Sequence, residues 1–207
     1  MESIKHHKIN VEVSARHVHL TQETVSLLFG EGFELSVKKN LSLEGEFLSN
    51  QKVSIRGPKA TIHNVSVLGP CREQNQIEVS LTDARTLGID VPIRLSGDLD
   101  DSAPVDLETS SNSVSLDKGL IVAKRHLHTD PDTAELYGIN HGDSISVKLL
   151  EDSRNLVFDD VIVRIGKRSI PVIHLDTDEG NSANIKESAV GYLVIDRKED
   201  ISYESTL

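Results

Sequence analysis

Short alternating runs of apolar and polar residues, broken by turn formers, dominate the chain. Val11-Glu-Val-Ser-Ala15 alternates and predicts a strand. It leads into Arg16-His-Val-His-Leu20, after which Thr21 is placed to cap a short helix over Gln22–Leu28 that stops near Gly30. A second passage repeats this order. Leu120-Ile-Val-Ala-Lys124 predicts an apolar strand, Arg125-His-Leu-His-Thr129 follows, and Asp130 with Pro131 opens a helix running to about Tyr137 before Gly138. The two Arg-His-x-His segments lie 109 residues apart, about half of the 207-residue chain. So long a period suggests two similar halves rather than a solenoid, whose repeats are shorter.

Further strands are predicted over Lys52–Arg56, Thr61–Leu68, Gln76–Ser80, Ser113–Leu116, Ser144–Leu149, Val157–Ile165 and Ser169–Leu175. A short helix is predicted over Thr82–Leu87, ending at Gly88. Many short strands with few, short helices predict a mainly β fold of barrels rather than a doubly wound sheet. The stretch Leu95–Asn112, rich in Asp, Ser and Gly, predicts one long functional loop.

Composition narrows the function classes. The formal net charge is −11 with a pI near 5.2, which repels a nucleic-acid backbone over most of the surface. Aromatic residues make up 3% with no Trp, too few for the stacking platforms that bind single strands. Cys71 is the single cysteine, so no intrachain disulfide forms, as expected in a reducing compartment. No apolar stretch reaches the length of a membrane span, and the N-terminal residues lack the apolar centre of a signal peptide. The expectation is a soluble cytoplasmic protein with no nucleic-acid or membrane partner.

Nine histidines carry the chemistry, and four of them fall in the two His-x-His pairs, His17 with His19 and His126 with His128. In an extended segment residues two apart point to the same side, so each pair can converge on one metal ion. His174 ends the apolar run Ile170-Pro-Val-Ile-His174 and precedes a segment dense in oxygen ligands, Asp176 to Asn184. Glu78 sits between Ile77 and Val79 in a pattern that buries it, which a metal would offset. Arg72, after Gly69-Pro-Cys71, offers a planar fork suited to a phosphate. His6, His7 and His63 have no such context, and His141 before Gly142-Asp143 reads as a turn residue. Cys71 has no adjacent base and reads as a small packed residue.

Six ordered segments resemble one family: Ser14-Ala-Arg-His-Val-His-Leu20, Gly69-Pro-Cys-Arg72, Gln76-Ile-Glu-Val-Ser80, Ser96-Gly-Asp-Leu99, Arg125-His-Leu-His128 and His174-Leu-Asp-Thr-Asp-Glu179. Together they resemble the phosphate propanoyltransferases associated with bacterial microcompartments, the PduL-type phosphotransacylases. The resemblance spans roughly residues 10–195. It implies two β-barrel domains capped by short helices, with the metal site in the seam between them. One barrel would be discontinuous, formed by residues 1–15 and 124–195; the other would take residues 16–123, leaving 196–207 as a tail. It implies two zinc ions, one at His17, His19 and Glu78, the other at His126, His128 and His174, with Arg72 meeting phosphate. The implied reaction joins a short acyl group, propanoyl or acetyl, to coenzyme A from an acyl phosphate by direct attack of the thiolate, and runs in reverse. A homodimer is the implied assembly.

Family members sent into a microcompartment carry an N-terminal amphipathic helix. Only about ten residues precede the first strand here, with no helical apolar face, so a free enzyme is expected rather than a shell-associated one. Two other classes compete: a two-zinc hydrolase of thioesters or phosphate esters, in which the metals activate water, and a non-catalytic metal scaffold. Structural zinc sites are usually closed and Cys-rich, which this ligand set is not.

Overall fold

A computed structural model describes residues 7–150, 154–166 and 170–195. In chain order the elements are β1 (His7–Val13), β2 (His17–His19), α1 (Gln22–Phe29), β3 (Val37–Asn40), β4 (Phe47–Arg56), β5 (Thr61–Gly69), β6 (Gln76–Glu78), α2 (Leu81–Leu87), β7 (Ile93–Arg94), β8 (Ala103–Glu108), β9 (Ser113–Ala123), β10 (His126–Thr129), α3 (Pro131–Tyr137), β11 (Ser144–Leu149), β12 (Leu156–Ile165), β13 (Val172–Leu175), α4 (Thr177–Ser182) and β14 (Ser188–Val194). They form two compact units, the first within Met1–Glu12, Arg125–His174 and Ala183–Leu207, the second Val13–Lys124 and Leu175–Ser182.

The first unit is a closed barrel in the order β1-β13-β10-β12-β11-β14. Its inward positions are apolar; Val11, Leu127, Val147, Val163 and Leu193 are all fully buried. The second unit is a sheet in the order β3-β4-β5-β2-β6-β9-β7, and β8 pairs with both β4 and β9. That double pairing closes β4, β5, β2, β6, β9 and β8 into a second ring, around a core that includes Val18, Ile55, Val67, Ile77 and Leu107. Closing both sheets leaves few unpaired edges.

The short helices start where local chemistry dictates. The Thr21 side chain accepts from the Thr24 N–H at the start of α1, and Asp130 does the same from Thr133 at the start of α3. α2 has a full capping box: Ser80 accepts from the Asp83 N–H while Asp83 accepts from the Ser80 N–H. Both α2 and α3 end on a left-handed glycine, Gly88 and Gly138.

Several elements differ from the sequence expectation. In the run Gln76–Ser80 the strand stops at Glu78, and Ser80 serves as a helix cap. The expected long loop over Leu95–Asn112 contains a strand, β8, whose alternating buried positions Ala103, Val105 and Leu107 are masked in sequence by the polar residues around them. The separate strands expected at Ser113–Leu116 and Leu120–Lys124 are one strand, β9, bent at Gly119 where φ is +123°. Its first half pairs with β8 and its second with β6 and β7. β3, β7, β14 and α4 carry too weak a pattern to be anticipated.

Leu175–Ser182 groups with the second unit. There the Ser14 N–H donates to the Leu175 carbonyl at 2.8 Å, and the Thr82 N–H donates to Asp178 Oδ2 at 2.8 Å. His6, Ser169 and the expected tail over residues 196–207 lie outside the described residues.

Candidate metal centres

Each His-x-His pair is itself a strand, and each is built into its barrel in the same way. β2 runs parallel to β5 on one side and antiparallel to β6 on the other. β10 runs parallel to β12 and antiparallel to β13. The antiparallel neighbour supplies a third donor directly opposite the first histidine: His17 faces Glu78, and His126 faces His174. In sequence a capped helix follows each of these neighbours, α2 after β6 and α4 after β13. The internal repeat seen in sequence as Arg-His-x-His therefore extends to the strand that completes each trio.

In the second unit Val18 is turned into the core, so His17 and His19 leave from the opposite face of β2. Ligand atoms of His17, His19 and Glu78 lie within 4.8 Å of one another, and all three residues are buried. His17 Nδ1 lies 2.9 Å from the Ala15 carbonyl, which can only accept, so this nitrogen carries the hydrogen. Nε2 is thereby turned to Glu78 Oε2, 3.6 Å away. A ring nitrogen and a carboxylate oxygen face each other, an arrangement that a cation between them satisfies. His19 is held neutral, its pKa lowered to about 2 by burial first, then by His17 and Arg72. His19 Nδ1 is buried with no hydrogen-bond partner among the described residues. A buried, neutral, orphaned imidazole nitrogen is costly unless something accepts its lone pair or proton, and the donor set fits zinc.

In the first unit, ligand atoms of His126, His128 and His174 also lie within 4.8 Å of one another. The Nε2 atoms of His126 and His128 are 3.0 Å apart and share at most one proton between them. The three rings meet edge to face, with centroids 4.6 to 5.5 Å apart. Glu12 Oε2 lies 3.7 Å from His174 Nε2 and adds negative charge to this cluster. All three residues are again the ones singled out in sequence, and this donor set also fits zinc.

The remaining candidates find other surroundings. Arg72 donates to Glu46 Oε1 at 2.7 Å, and its backbone N–H is tied to the Leu20 carbonyl just beyond β2. Its cation is near enough to help keep His19 neutral. Cys71 packs against the second-unit core with its thiol 3.3 Å from Gln22 Oε1, and burial pushes its pKa up, away from a reactive thiolate. His63 bonds Ser54 through Nδ1, His141 Nδ1 accepts from the Ile165 N–H in a turn, and His7 stacks on Tyr137. The oxygens after His174 do a different job from the one expected of them. Asp176 and Glu179 cap α4 reciprocally, and Asp178 caps α2.

Two residues at the site have no counterpart in the sequence reading. Asp83 grips Arg16, and Gln76 grips Glu78; the only signal for either was a polar residue in a buried pattern near a candidate ligand. No helix among the described residues is long and apolar enough to cross a membrane.

Comparison with known proteins agrees with this picture. Residues 10–186 match the phosphate propanoyltransferase family. This chain belongs to that family. It is 46% identical over 178 residues to a phosphate propanoyltransferase of Lachnoclostridium phytofermentans, covering 86% of this chain and 83% of the relative. It is 44% identical over 186 residues to that of Listeria monocytogenes, covering 90% and 87%. To that of Alkaliphilus metalliredigens it is 42% identical over 187 residues, covering 90% and 88%. The phosphate propanoyltransferase family is one of acyltransferase enzymes, and the matched region contains both donor trios and Arg72.

Proposed function

We propose that this chain interconverts a short-chain acyl-CoA plus phosphate with an acyl phosphate plus coenzyme A, with propanoyl and acetyl as the acyl groups, and that it holds two zinc ions. The observation that carries the reading is the pair of three-donor clusters. Three protein donors without cysteine are the ligand set of catalytic zinc, which keeps a position open, whereas structural zinc is closed by four. This speaks against a scaffold role.

His17, His19 and Glu78 hold one ion, and His126, His128 and His174 the other. Zinc bound at such a site supplies a Lewis acid that favours thiolate over thiol at neutral pH. The Ala15 carbonyl fixes the His17 tautomer so that Nε2 faces the site, and burial keeps His19 neutral and able to donate its lone pair. The thiolate sulfur of coenzyme A attacks the acyl carbonyl, the bond from that carbon to the phosphate oxygen breaks, and the thiol proton ends on the released phosphate. Arg72 meets the phosphate, its guanidinium held in place by Glu46. Cys71 takes no part, since burial raises its thiol pKa, and direct attack by coenzyme A needs no covalent acyl-enzyme.

The test is an assay of acetyl phosphate and propanoyl phosphate with coenzyme A, following thioester absorbance alongside zinc per chain. Two zinc per chain and coenzyme-dependent thioester formation are expected; His17→Ala and His128→Ala should each keep one zinc per chain and lose thioester formation. Phosphate release that needs no coenzyme A would instead favour the two-zinc hydrolase, and full transfer by a metal-free variant would defeat the reading.

A further inference from the structure

Gln76 is 2% exposed and occupies the position of β6 opposite His19. Every polar atom of its amide is used. The Gly97 N–H, which can only donate, lies 2.8 Å from Gln76 Oε1, and this fixes which way the amide is turned. Its NH2 group then donates to Glu78 Oε1 at 2.6 Å and to Ser96 Oγ at 2.9 Å. The consequence for Glu78 is direct. One carboxylate oxygen is engaged by a buried neutral donor, and the other is turned to His17 Nε2. The equivalent position in the other cluster, opposite His128, is Val172, which has no amide to give. There the third donor is His174, which presents one nitrogen and needs no choice between two oxygens.

Resting on the zinc reading above, we propose that Gln76 is a positioning residue for the first metal: it makes Glu78 a single-oxygen ligand and ties that ligand to the Ser96–Gly97 turn. The amide acts as a strut between the turn and the metal ligand, so a change at the turn is felt as a change in metal affinity and coordination. Outer partners of this kind set ligand orientation and typically weaken metal binding by about 10–100-fold when removed.

The experiment uses the full chain carrying His128→Ala, which leaves the first cluster alone to report. Zinc affinity is read by competition with a chromogenic chelator, and coordination by the visible absorption of the cobalt(II) form. Gln76→Leu is expected to weaken zinc by about 10–100-fold and to shift the cobalt bands as Glu78 gains freedom to bind through both oxygens. Ser96→Ala, at a half-buried turn position, removes one partner of the same amide. It is expected to weaken zinc several-fold while the melting temperature of the chelator-treated protein stays unchanged. Unaltered affinity and an unaltered cobalt spectrum in Gln76→Leu overturn the inference and leave the zinc reading standing. If Gln76→Leu does not fold, Ser96→Ala decides, and unchanged affinity there overturns the inference. If the His128→Ala protein takes up no metal, the zinc reading itself falls, and this inference with it.

Discussion

Arg16 closes on Asp83 through two contacts, Nε to Oδ2 at 2.9 Å and Nη2 to Oδ1 at 2.8 Å. The first arginine of the Arg-His-x-His repeat thus anchors β2 to α2, the helix that follows Glu78. Arg125, its counterpart, lies over the Phe158 ring and donates to the Asp159 carbonyl at 2.9 Å. The repeat preserves the arginine while its partners differ. The Asp83 side chain is 6% exposed, against 41% for Arg16. Arg16→Ala therefore strands a buried carboxylate and is expected to cost about 1–3 kcal/mol. Arg56→Ala breaks ion pairs with Asp106 and Glu108 in which the arginine is 49% exposed, and is expected to cost less than Arg16→Ala. Urea unfolding midpoints of the two variants compare them, and equal losses would refute the distinction.

What could be read in the sequence was local. Thr21, Asp130, Gly88 and Gly138 mark helix ends through contacts within four residues, so those helices were legible. His17 with His19 and His126 with His128 were legible because strand geometry alone puts residues two apart on one side. Glu78 and His174 stood out as a buried acid and a histidine at a strand end, but their pairing with particular histidines came from family resemblance. Only strand register shows it directly, with His17 opposite Glu78 and His126 opposite His174. The role of Gln76 was illegible for the same reason: its amide joins Glu78, two residues along the chain, to Gly97, twenty-one residues along it. β8 was hidden because three buried positions among Asp and Ser look like loop composition.

Gly119 lets β9 serve both ends of its ring. Its φ of +123° is disfavoured for any residue with a side chain, and an added Cβ would lie 2.7 Å from the Asn75 carbonyl oxygen. Its N–H also donates to Ser102 Oγ at 2.8 Å, fixing the bend from the β8 side. Gly119→Ala combines backbone strain with a steric clash and is expected to lose about 2–4 kcal/mol. Gly142→Ala has a similar φ of +87° but open space around it, so it should lose only the strain, about 1–2 kcal/mol. Thermal melts of both, referred to the parent, measure the difference; equal shifts would remove the clash from the explanation.

His19 makes the metal-free protein acid-sensitive. Its native pKa of about 2 lies below the unfolded value of about 6.5. Between these values the unfolded chain binds a proton that the native chain refuses. The native state therefore loses stability as pH falls below about 6.5, by at most about 1.4 kcal/mol per pH unit from this group, and nothing changes from it above that point. His19→Gln removes the proton-binding difference. Urea titrations of chelator-treated protein from about pH 7 to about pH 4.5 should show a shallower acid slope in the variant, and parallel slopes would contradict the assignment.

Arg72 and Glu46 offer the sharpest test of how the phosphate is met. The pair is 2.7 Å apart with side chains 34% and 24% exposed, so Glu46 orients the guanidinium without burying it. If Arg72 receives the phosphate, Arg72→Gln removes a charge-assisted donor aimed at the leaving group, and kcat/KM for the acyl phosphate should fall by roughly 10²-fold or more. Arg72→Lys keeps the charge but loses the planar fork, so recovery should be partial. Glu46→Gln keeps the arginine and loosens only its anchor, which predicts a rise in KM for the acyl phosphate with kcat nearly unchanged. Zinc content should be the same in all three, since the six donors of the two trios are intact. Steady-state rates with acyl phosphate varied at saturating coenzyme A read these outcomes. An Arg72→Gln variant with parental kcat/KM for the acyl phosphate would remove Arg72 from the reaction and return it to the role of an ion pair with Glu46.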